Sequence, residues 1–211
     1  MRSIKIIAAA LLAASALPGV VATPAYAQAA TAADSAAASK WVVDISNKVF
    51  AVLKDKSLSQ NAIRGKFRGM MRESFALDEI GNKLIRRYRS QITPAQYAAY
   101  QAALPDFAIN AYSDRLENYA NASVQPVRTV PRGTRGDIDV YSRISRPGSQ
   151  PFDAVWTVRK VGNDFRIVNI TVAGINLSLT QEADFSAYIA KNGFDALVTF
   201  MKSSNAKALA A

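Results

Sequence analysis

The side chains best suited to acid–base work in this 211-residue chain are two pairs of acids, Asp137 with Asp139 and Glu182 with Asp184. On a strand, a spacing of two puts both carboxylates on one face, where each disfavours the other's charge. No catalytic set forms around them. The chain holds no histidine and no cysteine, which removes the commonest general base, the thiol nucleophile and the usual transition-metal ligands. No Gly-x-Ser-x-Gly elbow, phosphate-binding loop or Gly-x-Gly-x-x-Gly fingerprint occurs. Serine hydrolysis with a lysine base stays open on composition, without a motif behind it. No cofactor or metal is expected, and Asp137 and Asp139 read as a solvated face of an edge strand.

Charge and apolar surface remain as the means of action. Residues 1–27 have the layout of an export signal: Arg2 and Lys5, an apolar run from Ile6, then Ala25-Tyr26-Ala27 as a small-x-small cleavage site. Pro18, Gly19, Thr23 and Pro24 interrupt the run, which argues against a membrane anchor. Cleavage before Gln28 and a periplasmic location are therefore expected. The full chain carries 26 Lys and Arg against 16 Asp and Glu; without Arg2 and Lys5 the balance is 24 to 16, about +8. In that compartment a basic protein meets anionic head groups, an acidic partner or the cell envelope rather than nucleic acid; solubility alone is the plainer reading. With no disulfide available, the core must be large enough to stand without staples.

The elements follow from periodicity. Residues 28–39 are rich in alanine and read as a flexible lead, although Asp34 or Ser35 could cap a helix. Trp41, Ile45, Val49 and Val52 form a helical stripe. Ser59 caps a second helix, with Ile63, Phe67, Met70, Met71 and Phe75 on one side and Arg64, Lys66, Arg68 and Arg72 largely elsewhere. Asp78 is expected to cap a third helix with Ile80, Leu84, Ile85 and Tyr88, its basic Arg86, Arg87 and Arg89 gathering toward the C-terminal end. Thr93-Pro94-Ala95-Gln96 is a capping box with proline in the first turn. The helix it opens carries Tyr97, Tyr100, Leu104 and Phe107, and Pro105 must kink or divide it. Arg64, Arg68, Arg72, Arg86, Arg87 and Arg89 are the candidates for docking to a partner or to lipid head groups.

From Ser123 the period changes to two, and strands are expected over residues 124–130, 137–144, 152–160 and 165–172. Helices over residues 180–191 and 194–203 close the chain. Helices, then an antiparallel meander, then helices argue an α+β fold in one domain over residues 40–204, with a curved four-stranded sheet and a tail over residues 205–211. If Gly162 and Asn163 form the turn of the last hairpin, Lys160 faces Phe165. That register puts Val155, Thr157, Val168 and Ile170 on an aliphatic face, and Ala154, Trp156, Val158, Phe165 and Ile167 on an aromatic one. Both faces then read as apolar and covered, one by helices and the other by something that need not be protein.

Taken together, Thr93-Pro94-Ala95-Gln96 with Tyr112 and Leu116, the strand Phe165-Arg166-Ile167-Val168-Asn169-Ile170, the Gly174-Ile175-Asn176-Leu177 turn, Phe185 and Asn192-Gly193 resemble the MlaC, or toluene-tolerance auxiliary, family of periplasmic phospholipid-binding proteins. Asn169, Ala173, Asn176 and Glu182 depart from residues frequent in that family. The resemblance implies a fold similar to the nuclear-transport-factor-two type, built around an apolar cavity. It also implies a lipid carrier moving between an outer-membrane lipoprotein complex and an inner-membrane ABC transporter complex, with transient membrane contact and a monomeric state.

Two acyl chains of about 16 carbons would lose on the order of 20 kcal/mol if exposed to water, at roughly 0.8 kcal/mol per methylene. A carrier must enclose them, in a cavity of roughly 800 Å³, near the upper end for ligand pockets. Candidate lining residues are Met70, Phe75, Leu84, Tyr100, Phe107, Val155, Val168, Ile170, Val172 and Ile175. A carrier of hopanoid or another polyisoprenoid lipid, an envelope hydrolase and a non-lipid adaptor remain the competing readings.

Overall fold

The computed structural model describes residues 30–116 and 119–210, without the side chains of residues 112–116, 209 and 210. The export signal expected over residues 1–27 and the side chains of Tyr112 and Leu116 lie outside the described residues. The elements in order are α1 (Ala32–Lys54), α2 (Gln60–Ser74), α3 (Leu77–Leu84), α4 (Pro94–Leu116), β1 (Ser123–Arg132), β2 (Asp137–Ser145), β3 (Phe152–Val161), β4 (Asp164–Val172), β5 (Ile175–Asn176), α5 (Leu177–Asn192) and α6 (Phe194–Ala210). The architecture is α+β, with helices packed on one antiparallel sheet.

α1 starts earlier than its composition suggests. Thr31 and Asp34 form a capping box, and alanine, the strongest helix former, carries the helix through residues expected to be a flexible lead. Ala38 and Val42 are fully buried with Ile138 and Val140 of the sheet. The tightest contact is thus made by Ser35, Ala38, Val42 and Ser46, beside the Trp41 stripe rather than on it, because small side chains let the helix lie close. Ser46 satisfies its buried hydroxyl by donating to the Val42 carbonyl at 2.7 Å. At the other end, α6 continues through the residues expected to be a tail. There Asn205 donates its side-chain amide to the Ala103 carbonyl at 3.0 Å.

The caps fix the remaining helices. Ser59 accepts from the Ala62 amide as expected. Asp78 does not cap α3; Ala76 stands at that position, and its amide donates to the Ile167 carbonyl at 3.0 Å, tying the start of α3 to β4. Asp78 and Glu79 instead sit in the first turn, where the helix dipole favours acids. α3 ends at Leu84, so Arg86, Arg87 and Arg89 follow it in turns. The Thr93–Gln96 box forms in both directions, at 2.9 and 3.2 Å, and α4 runs past Pro105 undivided.

The sheet is ordered β1-β2-β3-β4-β5, every neighbour antiparallel. It has five strands rather than four because the Ile175–Asn176 pair folds back on Val172 and Thr171. The β3–β4 hairpin pairs Lys160 with Phe165 and Val158 with Ile167, as the turn dictates. A bulge follows: Thr157 pairs with Asn169 and Trp156 with Ile170. One extra residue on β4 reverses the facing of everything beyond it.

Only one sheet face is apolar. It carries the buried Val124, Ile138, Val140, Ile144, Ala154 and Val158, and α1 packs on it. The opposite face is a polar ladder, where the expectation of two apolar faces fails. Arg128 stacks over the Tyr141 ring at 3.6 Å, Arg143 pairs with Asp153 at 2.7 Å, and Arg132 pairs with Asp139 at 3.2 Å. Asp137 and Asp139 are not a solvated edge, because β2 lies between β1 and β3. Asp139 is buried and also accepts from the Thr157 hydroxyl at 2.7 Å. Asp137 takes Arg159 in a two-pronged pair at 2.5 and 3.0 Å. Together with Glu79, that pair holds the Arg159 guanidinium firmly protonated.

Candidate functional site

Among the described residues the interior holds three apolar clusters, a small one of Ala122, Val124, Ile144 and Ala154 and two larger ones. One is helical: Leu84, Ile85, Tyr100, Leu104, Phe185, Ile189, Leu197 and Met201 from α3 to α6. The other is the inward sheet face with α1. α2 touches both, packing against α4 and against β4. Its inward stripe runs from the buried Phe67 through Met70 and Met71 to the buried Ser74, the spacing of one helical face.

Along these surfaces, large apolar side chains stop short of full burial. Phe75, Trp156 and Ile170 pack against the sheet cluster, and Phe107 against the helical one, yet all four remain half-buried. Met70 on α2 is half-buried as well. Phe107 joins the rings of Phe185 and Phe200 at 5.9 and 5.8 Å, and Tyr119 meets Phe152 edge-on at 6.2 Å. Such side chains leave apolar surface uncovered on these inward faces.

The candidate lining residues divide accordingly. Met70, Phe75, Phe107, Ile170 and Val172 are half-buried. Leu84 and Tyr100 are filled core positions; Tyr100 donates its hydroxyl to the Gly81 carbonyl at 3.1 Å, and burial raises the pKa of its phenol. Val168 is buried at the bulge. Val155 lies on the polar face between Tyr141 and Thr171. Ile175 is 58% exposed on β5. Trp156, assigned from the turn to the opposite face from Ile170, is its direct partner. The pattern of β4 gives no sign of the bulge except Asn169, a polar residue interrupting an apolar run.

The candidate docking arginines are mostly engaged. Arg64 donates to the Ala208 carbonyl and Arg68 pairs with Asp106. Arg86 binds Glu182 at 2.6 Å, and Arg89 stacks on the Tyr97 ring at 3.9 Å. Arg72 and Arg87 are exposed and form no ion pair among the described residues. Asn176, at the departure from the family's usual residue, accepts from the Leu179 amide at 3.1 Å and so caps α5. No group of His, Cys, Asp and Glu able to hold a metal occurs among the described residues. None of their helices is long and apolar enough to cross a membrane.

A family model described as MlaC protein matches residues 43–203. Among solved structures, the phospholipid-binding protein from Ralstonia solanacearum, determined in complex with a phospholipid, aligns with a TM-score of 0.68. The two sequences are 23% identical, and the alignment covers 82% of this chain and 98% of that one. At that identity the likeness is one of fold.

Proposed function

The chain belongs to the MlaC family, and from that premise we propose that it is a periplasmic phospholipid carrier, holding acyl chains in the seam between the sheet and helices α2 and α4. The observation that carries this reading is the set of half-buried apolar side chains on inward surfaces, Met70, Phe75, Phe107, Trp156 and Ile170. An interior closed for its own sake would bury them. Enclosing acyl chains offsets a cost in water on the order of 20 kcal/mol. Moving them from bilayer to seam exchanges one hydrocarbon environment for another, so release stays within reach.

On this reading the protein binds rather than turns over its ligand, and the polar ladder on the outer sheet face keeps the loaded carrier soluble. The carrier passes lipid, as a monomer, between outer- and inner-membrane complexes after removal of residues 1–27. Lipid extraction and mass spectrometry of protein purified from its native periplasm test the proposal. Co-purified phospholipid near one molecule per chain is expected. A polyisoprenoid lipid in its place would replace the ligand class, and protein that carries no lipid would overturn the carrier itself.

A further inference from the structure

β3 carries the apolar surface toward one end of the sheet. Trp156 packs against the cluster under α1 and also against the small cluster of Ala122, Val124, Ile144 and Ala154. Ala154 and Phe152 lie beyond it on the same side of the strand, opposite Ser142 and Ile144, so the surface runs about 13 Å from Trp156 to Phe152. At the far end of β3, Lys160 and Asp34 tie the strand to the start of α1. The Phe152 end has no such tie among the described residues. Tyr119 stands there edge-on to Phe152 at 6.2 Å, and the Arg146 guanidinium lies over the Tyr119 ring at 5.0 Å.

Arg146 is unlike the arginines of the strands. Arg132, Arg143, Arg159 and Arg166 each pair with an acid, and Arg128 is exposed. Arg146 is half-buried and pairs with no acid among the described residues. Its Nε is shut away without an acceptor, whereas its terminal nitrogens are not. A guanidinium partly withdrawn from water without a counter-ion carries a cost that an anion at its open side offsets. We propose that Arg146 binds the phosphate of the carried lipid. Its terminal nitrogens form paired hydrogen bonds to two phosphoryl oxygens, while the Tyr119 ring holds the guanidinium plane. The acyl chains then run inward past Phe152 and Ala154 to Trp156 and Ile170. This rests on the carrier reading and narrows its ligand to a phosphodiester, since a neutral lipid would leave Arg146 unmet.

Competition tests the assignment. The full exported chain is loaded from detergent micelles holding equal amounts of dioleoylphosphatidylglycerol and dioleoylglycerol, and mass spectrometry reads the bound ratio and the lipid per chain. The unmodified chain is expected to enrich the phospholipid roughly tenfold, the scale of hydrogen bonds to a charged group. Arg146→Gln should bring the ratio near unity while lipid per chain holds, because the acyl chains keep their place. Arg146→Lys, which keeps the charge without the fork, should fall between. In the unmodified chain the Arg146 side-chain NMR signal should move with phosphatidylglycerol and not with dioleoylglycerol, which keeps the test decisive if the Gln variant does not fold. No enrichment in the unmodified chain, enrichment that survives Arg146→Gln, or an Arg146 signal that ignores the phospholipid overturns the proposal and leaves the carrier standing. An unmodified chain that takes up neither lipid overturns both.

Discussion

Ile170 faces Trp156 across the β3–β4 ladder, one step out of the register that the Gly162-Asn163 turn begins. The bulge between them brings Ile170 to the inward face, beside Phe75 and the α1 cluster. Val155 stays outside, opposite Thr171. Enlarging these residues therefore has three separate outcomes. Ile170→Trp fills the seam, so co-purified lipid should fall while the thermal midpoint stays within a few degrees. Val155→Trp, on the polar face, should leave lipid unchanged. Val158→Trp, at a fully buried position, should cost about 1–3 kcal/mol through overpacking. A full lipid complement in Ile170→Trp would remove that residue from the binding surface.

That relationship marks the limit of reading the sequence. Helix starts were legible where a cap was written out, as at Ser59 and Thr93, because a side chain and an amide three residues on settle them locally. The hairpin turn was legible for the same reason. Facing beyond the turn was not, since a bulge is a single unpaired residue whose position depends on what the other strand offers. The start of α1 was hidden by alanine-rich composition, which cannot distinguish a frayed lead from a helix fitting tightly on a sheet. The ion pairs of the docking candidates Arg68 and Arg86 are not legible in the sequence, because their acids, Asp106 and Glu182, are distant in the chain.

Gly81 sets the approach of α3 to α4. A methyl group there would lie 2.5 Å from Gln101 Oε1 and 2.9 Å from Leu104 Cδ2. Gln101 can swing aside by giving up its 2.7 Å bond to the Tyr97 hydroxyl, but Leu104 is buried. Gly81→Ala gains about 1 kcal/mol of helix propensity and still should lose roughly 1–2 kcal/mol net from strain between the helices. Chemical denaturation reads the difference, and a raised midpoint would mean that the helices part without cost.

Asp34 ties the start of α1 to the end of β3. Its carboxylate is held well below the ordinary value of 3.8 by the Lys160 ammonium, 2.6 Å away, and by the amide and hydroxyl of Thr31. A depressed folded-state pKa contributes stability that is present above the unfolded value and is lost as pH falls through the folded one. The contribution should therefore be intact at neutral pH and decline from about pH 4 downward. Asp34→Asn should lower stability at pH 7 and flatten the acid limb of the denaturation midpoint. An acid limb identical to that of the unmodified protein would assign the loss to other carboxylates.

Arg72 and Arg68 lie one helical turn apart on α2, but among the described residues only Arg68 is paired with an acid, Asp106. Steering toward an anionic surface draws on charge that the protein has not already neutralised, so the two should respond differently to reversal. Arg72→Glu should slow association with anionic vesicles roughly three- to tenfold at low salt. The effect should fade toward physiological ionic strength, where the Debye length is about 8 Å. Arg68→Glu should act mainly on stability, because it leaves Asp106 facing a second acid. Stopped-flow association across a salt series, paired with thermal melts, separates these outcomes. Equal on-rates for Arg72→Glu and the unmodified protein at low salt would show that α2 does not face the membrane during encounter.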